Sequence, residues 1–286
     1  MTDQPIRDCL AARISPEVAV ARMLLAGVAT EGIVAALARH RPDADDVRWT
    51  AMAQLVEGRD AALDQLAMEV AATGAQHDAS GEDGLARIAA FFDRAVAHSP
   101  EASVALYSLG DPAILAQATA EIVAWLHANR LLHAEADVLD LGCGIGRIAA
   151  ALAPLCRTVL GLDVSAGMVA EARKRNAALP NVRFDQTAGR DLDGLPATVF
   201  DLVLAVDSFP YMVQAGPDIV GRHVAGAARV LRPGGALAVL NFSYRGNLAT
   251  DRADAASLAA AHGFTLEQDG AKPFGVWDGT AFVLRR

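Results

Sequence analysis

A strand, a glycine-rich turn and a helix start occur together at residues 138–147, VLDLGCGIGR, and they constrain the fold more than any other stretch. The apolar residues before the first glycine predict a buried strand, and the Ala-rich pattern at 148–153 predicts a helix. A sharp turn between this strand and this helix is predicted by Gly142, Gly144 and Gly146, because glycine adopts left-handed backbone angles at little cost. Such a turn lets a ligand approach the backbone and meet the free N–H groups at the helix start. The stretch therefore predicts a cradle for a nucleotide-like ligand.

From residue 137 onward, short apolar strands alternate with helical patterns. The predicted strands are 137–141, 157–163, 181–186, 199–206, 234–241, 264–269 and 280–285, with helices near 146–154, 165–178, 216–231 and 252–262. Helical crossovers between the first five strands imply parallel pairing, although the short crossover between strands three and four gives little support for a helix. A Gly- and Pro-rich connection between the last two strands predicts an antiparallel edge strand. The predicted fold is α/β, a doubly wound seven-stranded sheet that is mostly parallel, with an N-terminal all-helical domain.

The part of the chain before the sheet predicts helices only. Within residues 1–80, Ser15 followed by proline is a typical helix N-cap. The polar, glycine-containing stretch 73–84 is the best candidate for a linker. An amphipathic helix at 85–98 and a long helix at about 112–132 follow. We therefore predict a helical N-terminal domain at 1–80, a helical lid or connector at 81–135 and a ligand-binding domain at 136–286.

Composition excludes several classes of partner. The chain of 286 residues has a formal net charge of −9, which argues against tight binding to a nucleic-acid backbone. No apolar run is long and clean enough to span a bilayer, and the N-terminus lacks the basic-then-apolar order of a signal peptide. Cys9, Cys143 and Cys156 form no CxxC pair or metal-ligand spacing, so we expect no metal and free thiols in a reducing compartment. A cytoplasmic protein without a nucleic-acid or membrane partner is expected.

The end of the predicted second strand narrows the ligand class. This strand ends in Asp163, which lies 23 positions after Asp140. An acid at this point can accept hydrogen bonds from both ribose hydroxyls of a bound nucleoside. Ser165 follows and can cap the next helix.

Four stretches together resemble the class I S-adenosylmethionine-dependent methyltransferases. They are VLDLGCGIG at 138–146, GLDVSAGM at 161–168, FDLVL at 200–204 and RVLRPGG at 229–235. They stand in the family's order and at its usual spacing, and the resemblance covers residues 137–286. It implies a Rossmann-like fold, with S-adenosylmethionine as methyl donor and S-adenosylhomocysteine as product. A nicotinamide-dependent dehydrogenase is disfavoured, because the dinucleotide motif spaces its last glycine one residue further on.

The resemblance also implies roles for residues of the cradle. Asp140 would orient the turn and the methionine ammonium of the donor, and Asp163 would hold the ribose diol. Met168 would lie near the adenine, although a helix core position explains this methionine equally well. The donor-binding residues implied are Asp140, Gly142, Gly144, Gly146, Asp163, Val164 and Met168.

The expected contact to the adenine amino group departs from the family pattern. Many members place an acid directly after the third strand, whereas this chain has Ala188 there if Asp191 matches the acid that usually comes later in the loop. Adenine would then be bound by the backbone of Gly189 and Arg190, or by Asp191. The alternative for Asp191 is a loop acid in solvent.

Loops after strands four and five are the predicted acceptor site, because strand carboxyl ends face the ligand crevice in this fold. Asp207 and Tyr211 are candidates for catalysis. Tyr211 is also a candidate for contact with the substrate, and Asp207 for contact with the methyl donor. The segment DSFPY at 207–211 only echoes the Asn/Asp-Pro-Pro-Tyr/Phe pattern of members that methylate exocyclic amines. Tyr244 and Arg245, after strand five, would supply an apolar wall and an anion clamp. The alternatives are a packing aromatic for Tyr211, a helix-cap acid for Asp207 and an exposed loop cation for Arg245.

Tyr107 is the last substrate-binding candidate, because related enzymes fold the segment ahead of the first strand over the donor as a lid. An ordinary interhelical turn is the alternative. The leading hypothesis is in-line methyl transfer to a small-molecule acceptor that the protein aligns while excluding water. The alternatives are a methyltransferase acting on a protein or peptide docked by the N-terminal helices, and a non-catalytic S-adenosylmethionine-binding protein. A homodimer through the N-terminal helices is a further hypothesis.

Overall fold

The computed structural model describes residues 3–73 and 82–286, which divide into two compact units. The first unit comprises 3–73, Arg94–Ala118 and Phe274–Asp278, and the second comprises 82–93, Thr119–Pro273 and Gly279–Arg286. The predicted linker at 73–84 lies outside the described residues except at its two ends. The boundaries predicted at 80 and 135 stay a prediction.

The described residues form thirteen α-helices and seven strands. The helices are α1 Asp3–Leu10, α2 Pro16–Leu25, α3 Thr30–Arg39, α4 Val47–Val56, α5 Asp60–Thr73, α6 Glu82–His98, α7 Pro100–Val104, α8 Pro112–Ala128, α9 Arg147–Leu152, α10 Ala166–Arg175, α11 Phe209–Ala215, α12 Pro217–Val230 and α13 Leu248–His262. The strands are β1 Asp137–Leu141, β2 Thr158–Asp163, β3 Val182–Gln186, β4 Phe200–Val206, β5 Leu231–Leu240, β6 Thr265–Ala271 and β7 Ala281–Arg285. Short 3₁₀ helices occupy Leu106–Ser108 and Ala153–Leu155.

Local capping explains where helices of the first unit begin. The Ser15 hydroxyl accepts the N–H of Val18 at 3.1 Å, and proline occupies the first position of α2. The same hydroxyl donates to the carbonyl of Val276 at 2.7 Å. The segment Phe274–Asp278, which joins β6 to β7 in the chain, therefore packs within the helical unit and is fastened to a helix cap.

The sheet of the second unit has the strand order β3-β2-β1-β4-β5-β7-β6. The first five strands pair in parallel, and β7 runs antiparallel to both β5 and β6. All five residues of β1 are buried, as expected for a central strand covered by helices on both faces. The order reverses between β1 and β4, and ligands bind at such a switch point, beyond the strand carboxyl ends. The predicted fold class is confirmed, with the antiparallel strand lying one position in from the edge.

One helix near the switch point was not predicted. The helix predicted at 216–231 is α12, and a separate helix, α11, precedes it and begins within the predicted loop after β4. Gly216 separates α11 from α12 because its φ of +125° is incompatible with a helix, and Pro217 starts the next one. No helix lies in the described residues 187–199, as the short crossover indicated.

Charged side chains tie the amino ends of neighbouring strands together. The Asp137 carboxylate accepts from the Arg157 Nε at 2.9 Å, from the Arg232 Nη2 at 2.8 Å and from the Thr158 hydroxyl at 2.7 Å. Arg232 also donates to Asp201 at 2.5 Å. Hydrogen bonds from Arg157, opposed by burial and aided by Arg232, hold the pKa of Asp137 well below its usual range.

We expect Asp137→Asn to lower the free energy of unfolding by about 2 kcal/mol at pH 7, because two charge-assisted bonds are lost. Since the pKa of Asp137 is lower in the folded protein, its stabilisation is present above the unfolded-state pKa and is lost as the pH falls through the folded value. The difference between variant and wild type should therefore shrink below about pH 4. Urea unfolding, monitored by circular dichroism at pH 7 and below about pH 4, measures the loss of stability and its pH dependence. Asp185→Asn, which alters an exposed ion pair, is the control, and equal midpoints for Asp137→Asn and wild type at pH 7 would contradict the prediction.

Candidate active site

The glycine turn after β1 has the backbone conformation that the sequence predicted. Gly142, Gly144 and Gly146 have φ values of +77°, +53° and +77°. The N–H of Gly142 and that of Cys143 both donate to the carbonyl of Leu162, at 2.7 and 3.0 Å, so the turn is fastened to the end of β2. The left-handed angles favour glycine at all three positions.

Protein atoms also fill the places that glycine side chains would take. A Cβ at Gly142 would lie 2.3 Å from the Cβ of Ser208, whose hydroxyl donates to the Leu141 carbonyl at 2.5 Å. A Cβ at Gly146 would lie 2.7 Å from the ring of Phe184. Close packing behind the turn is therefore a second reason for glycine, besides the approach of a ligand from the front.

Asp140, in β1 just before the turn, has an incomplete set of hydrogen bonds. Its side chain is 1% exposed, and its Oδ2 has no hydrogen-bond partner among the described residues. Burial raises the pKa of Asp140 to about 7, with Arg147 lowering it and Asp163 raising it further. A ligand cation at Oδ2 would donate the missing hydrogen bond and would balance the negative charge of the ionised carboxylate.

Asp163, at the end of β2, faces the same turn. Its Oδ2 accepts the N–H of Gly144 at 2.9 Å and its Oδ1 accepts the N–H of Ser165 at 2.9 Å. Burial raises the pKa of Asp163, and these N–H groups oppose the rise. The carboxylate thus braces the glycine turn against the start of α10, and each oxygen keeps acceptor capacity for a ligand hydroxyl.

The residues predicted around the adenine lie on α10 and on the loop after β3. Met168 is buried, and its N–H donates to the Ser165 hydroxyl at 3.0 Å. Gly189 has a φ of +70°, and a Cβ there would lie 2.5 Å from the Val164 side chain. The structure therefore brings Gly189 and Val164 together. Arg190 and Asp191 follow Gly189, and the Asp191 carboxylate accepts the N–H of Asp193 at 3.0 Å within the loop.

Asp93 of α6 is a contact that the sequence analysis missed. Its Oδ1 accepts the Ser165 hydroxyl at 2.6 Å and the N–H of Gly167 at 2.8 Å, so it completes the cap of α10 next to Asp163. The amphipathic pattern identified α6 as a helix, but it gave no reason to select this acid. Its partners lie more than 70 residues further along the chain, and only the fold brings them together.

Asp207 and Asn241 directly follow the adjacent strands β4 and β5, and their side chains are hydrogen bonded to each other. Both have left-handed backbones, with φ values of +56° and +70°, which non-glycine residues adopt rarely. The Asp207 Oδ1 accepts the Asn241 amide at 2.7 Å and the Tyr244 hydroxyl at 2.9 Å. Unusual backbone angles of this kind cluster at functional sites. Asn241 was not among the predicted site residues.

Four aromatic rings form a continuous row that ends beside Asp207. In this aromatic row, Phe91 contacts Phe92, Phe92 contacts Tyr211, and Tyr211 contacts Tyr244, edge to face with centroids 5.1, 5.1 and 5.6 Å apart. Burial, together with the Asp207 carboxylate, raises the pKa of Tyr211. The Tyr211 hydroxyl is therefore a neutral hydrogen-bond donor at physiological pH rather than a base.

The remaining two candidates lie in other surroundings. The Arg245 guanidinium donates to Asp251 and to Asp254, at 2.7 Å each, so a substrate anion would compete with two carboxylates. Tyr107 belongs to the first unit, where its ring stacks on Trp277 with centroids 5.9 Å apart. The substrate roles of both residues stay predictions.

Two kinds of feature are absent from the part of the chain that the structure describes. No group of three or more His, Cys, Asp or Glu side chains there has the arrangement to hold a metal ion. None of the described helices combines the length and the apolar character needed to cross a bilayer.

Comparison with known proteins places the site within a recognised domain. Residues 138–235 match the family described as a methyltransferase domain. Trans-aconitate 2-methyltransferase of Deinococcus radiodurans is 42% identical over 109 residues, which are 36% of this chain and 37% of that protein. Methyltransferase GfsG of Streptomyces halstedii is 36% identical over 154 residues, 52% of this chain and 51% of that protein. The chain thus spans about half or less of the length of these curated relatives.

A solved structure shares the fold. Phosphoethanolamine N-methyltransferase 1 of Haemonchus contortus, in complex with phosphoethanolamine and S-adenosylhomocysteine, aligns with 71% of this chain and 48% of that one. The TM-score is 0.53 at 17% sequence identity, so the likeness concerns the fold alone.

The matched segment contains the glycine turn, Asp140, Asp163 and the loop after β4. The strand order, the four sequence stretches and the relatives agree with one another. The expectation of a methyltransferase domain is confirmed for residues 138–235, which lie in the second unit.

Proposed function

We propose that the whole protein transfers a methyl group from S-adenosylmethionine to a small-molecule acceptor. The observation that carries the proposal concerns Asp140, which lies just before the glycine turn. Its Oδ2 is buried and accepts no hydrogen bond from any of the described residues. A carboxylate in this position suits the ammonium of the donor's methionine part. The donor supplies a methyl carbon that its sulfonium already activates toward a nucleophile.

Different residues of the cradle bind different parts of the methyl donor. Asp140 binds the methionine ammonium, and Asp163 accepts hydrogen bonds from the ribose hydroxyls while it braces the turn through Gly144. The adenine lies beside α10 and the loop after β3. Its neighbours in the proposal are Val164, Met168, Gly189, Arg190 and Asp191.

The acceptor lies at the carboxyl ends of β4 and β5, where Asp207, Tyr211 and Tyr244 are hydrogen bonded or in ring contact. Asp207 holds a proton-bearing group of the acceptor, and the aromatic rings exclude water from it. Alignment and dry surroundings are most of what methyl transfer needs from the protein. Catalytic roles for Asp207 and Tyr211 are part of this proposal.

The small-molecule class rests on the similarity to a relative named for trans-aconitate, a small acid. A protein or peptide acceptor docked by the N-terminal helices, a homodimer through them, and a cytoplasmic location stay predictions.

The test begins with calorimetric titration of the purified protein with S-adenosylmethionine and S-adenosylhomocysteine, with NAD⁺ as a nucleotide control. We expect both methyl-donor ligands to bind and NAD⁺ not to bind. Incubation with methyl-labelled donor and a cell extract, split into low-molecular-mass and macromolecular fractions, then locates the acceptor. Label should appear in the low-molecular-mass fraction. Absence of donor binding would refute the proposal, and label only on macromolecules would favour the docked-protein alternative.

A further inference from the structure

Helix α11, which follows β4, carries an unsatisfied polar atom that the proposed contacts to the methyl donor do not explain. The Oε1 of Gln214 is one of two buried side-chain N or O atoms in the described residues without a hydrogen-bond partner, and the other belongs to Asp140. Gln214 lies three residues after Tyr211 on α11. Residues three apart are neighbours on the surface of a helix, so the Gln214 side chain leaves α11 on the same side as the Tyr211 side chain. A buried acceptor of this kind needs a donor from a ligand or water.

The charges at this end of the sheet are unfavourable for an anion. The Asp207 carboxylate lies among the proposed acceptor residues, and the Arg245 guanidinium after β5 is engaged by Asp251 and Asp254. An anionic acceptor would meet like charge at Asp207, whereas an amine would meet a hydrogen-bond acceptor there.

Aromatic rings complete the site. The aromatic row presents Tyr211 and Tyr244 beside the Asp207 carboxylate, which Asn241 holds in place at 2.7 Å. Tyr244 exposes 46% of its surface, so its ring is accessible to a ligand. Rings next to a carboxylate suit an organic cation, through the attraction between the cation and the ring faces.

Building on the proposed function, we propose that the acceptor is an amine with an aromatic or apolar body. Its amine donates hydrogen bonds to Asp207 and to the Gln214 Oε1, and its body packs on Tyr211 and Tyr244. This inference concerns how the acceptor is recognised and distinguishes the protein from relatives named for acids, such as trans-aconitate.

The test compares two probes that share a phenol ring and a two-carbon chain but differ in charge, tyramine and 4-hydroxyphenylacetate. Each is titrated into protein saturated with S-adenosylhomocysteine. We expect tyramine to bind at least about tenfold more tightly, the difference that one charge-assisted hydrogen bond provides. Asp207→Asn and Gln214→Leu should each weaken tyramine binding about tenfold. Asp193→Asn, which makes the same charge change at an exposed loop residue, should leave it unchanged.

A second measurement separates recognition from a structural role for Gln214. Because leucine removes an unsatisfied buried acceptor, Gln214→Leu should melt at the wild-type temperature or above it. Equal or tighter binding of 4-hydroxyphenylacetate, no tyramine binding up to its solubility limit, or unchanged tyramine binding in both variants would overturn the inference. If S-adenosylhomocysteine itself does not bind, the proposed function fails and the inference falls with it. Donor binding with a reversed probe preference overturns the acceptor class alone.

Discussion

Asp163→Ala is expected to weaken S-adenosylmethionine binding by about 100-fold or more. The substitution removes the carboxylate proposed to hold the ribose hydroxyls, and two charge-assisted hydrogen bonds of about 1.5 kcal/mol each correspond to that factor. It also leaves the N–H groups of Gly144 and Ser165 without their present acceptor, so the glycine turn loses its brace. Calorimetric titration of the variant and the wild type measures the change.

Asp163→Asn separates these two losses. Asparagine keeps one acceptor oxygen in nearly the same shape, so its affinity should lie between those of Asp163→Ala and the wild type. Asp193→Ala, at an exposed loop position, serves as the control and should bind the donor normally. Thermal melting confirms that each variant is folded. Affinity of folded Asp163→Ala within about threefold of wild type, a difference below 1 kcal/mol, would show that this acid does not hold the donor.

Donor binding by the wild-type protein is expected to strengthen about tenfold between pH 5.5 and pH 7, and Asp140→Asn is expected to abolish this dependence. The raised pKa of Asp140, about 7, means that the unliganded carboxyl is largely protonated at the lower pH. A ligand ammonium binds the ionised form, so the proton must leave first, and each pH unit below the pKa costs up to tenfold in affinity. At pH 7 the variant should bind at least about 30-fold more weakly, since one partner of a buried charge pair is missing.

The measurement is titration calorimetry across that pH range in two buffers of different ionisation enthalpy. The ligand's own amine stays charged there, because an α-amino group has a pKa of about 7.8. Wild type should release a proton on binding near pH 6, and Asp140→Asn should not. Asp163 is the other buried carboxyl at the turn, and it is unchanged in Asp140→Asn. An equally steep pH dependence in that variant would assign the titration to another group.

Much of the second unit could be predicted because its signals are local. The strand predicted at 137–141 is Asp137–Leu141, and the turn, its three glycines and the acid at 163 lie within one βαβ segment. Helix α11 was not predicted, because it is short and lies directly before the helix that was predicted from residue 216 onward; Gly216, whose φ is +125°, separates the two. The position of β7 between β5 and β6 depends on pairing across the sheet, which no local pattern records.

The candidate site was predicted in its donor half more completely than in its acceptor half. The donor residues follow from one motif order, whereas Arg245 was selected for its place after β5 and is engaged by Asp251 and Asp254 of the helix that follows. Asp93, Asn241 and Gln214 were not selected. Each is significant only through a contact or an unsatisfied atom in the folded chain.

By itself, the sequence determined the strand, the glycine turn and the acid on which the resemblance to a methyltransferase family rests, because local backbone conformation depends on residue types close together in the chain. The tertiary structure alone decided what surrounds that stretch. It placed Ser208 and Phe184 behind the glycines, so that side chains there would clash. It also left Asp140 with an unsatisfied oxygen, because burial and hydrogen bonding depend on residues that only folding brings within contact distance.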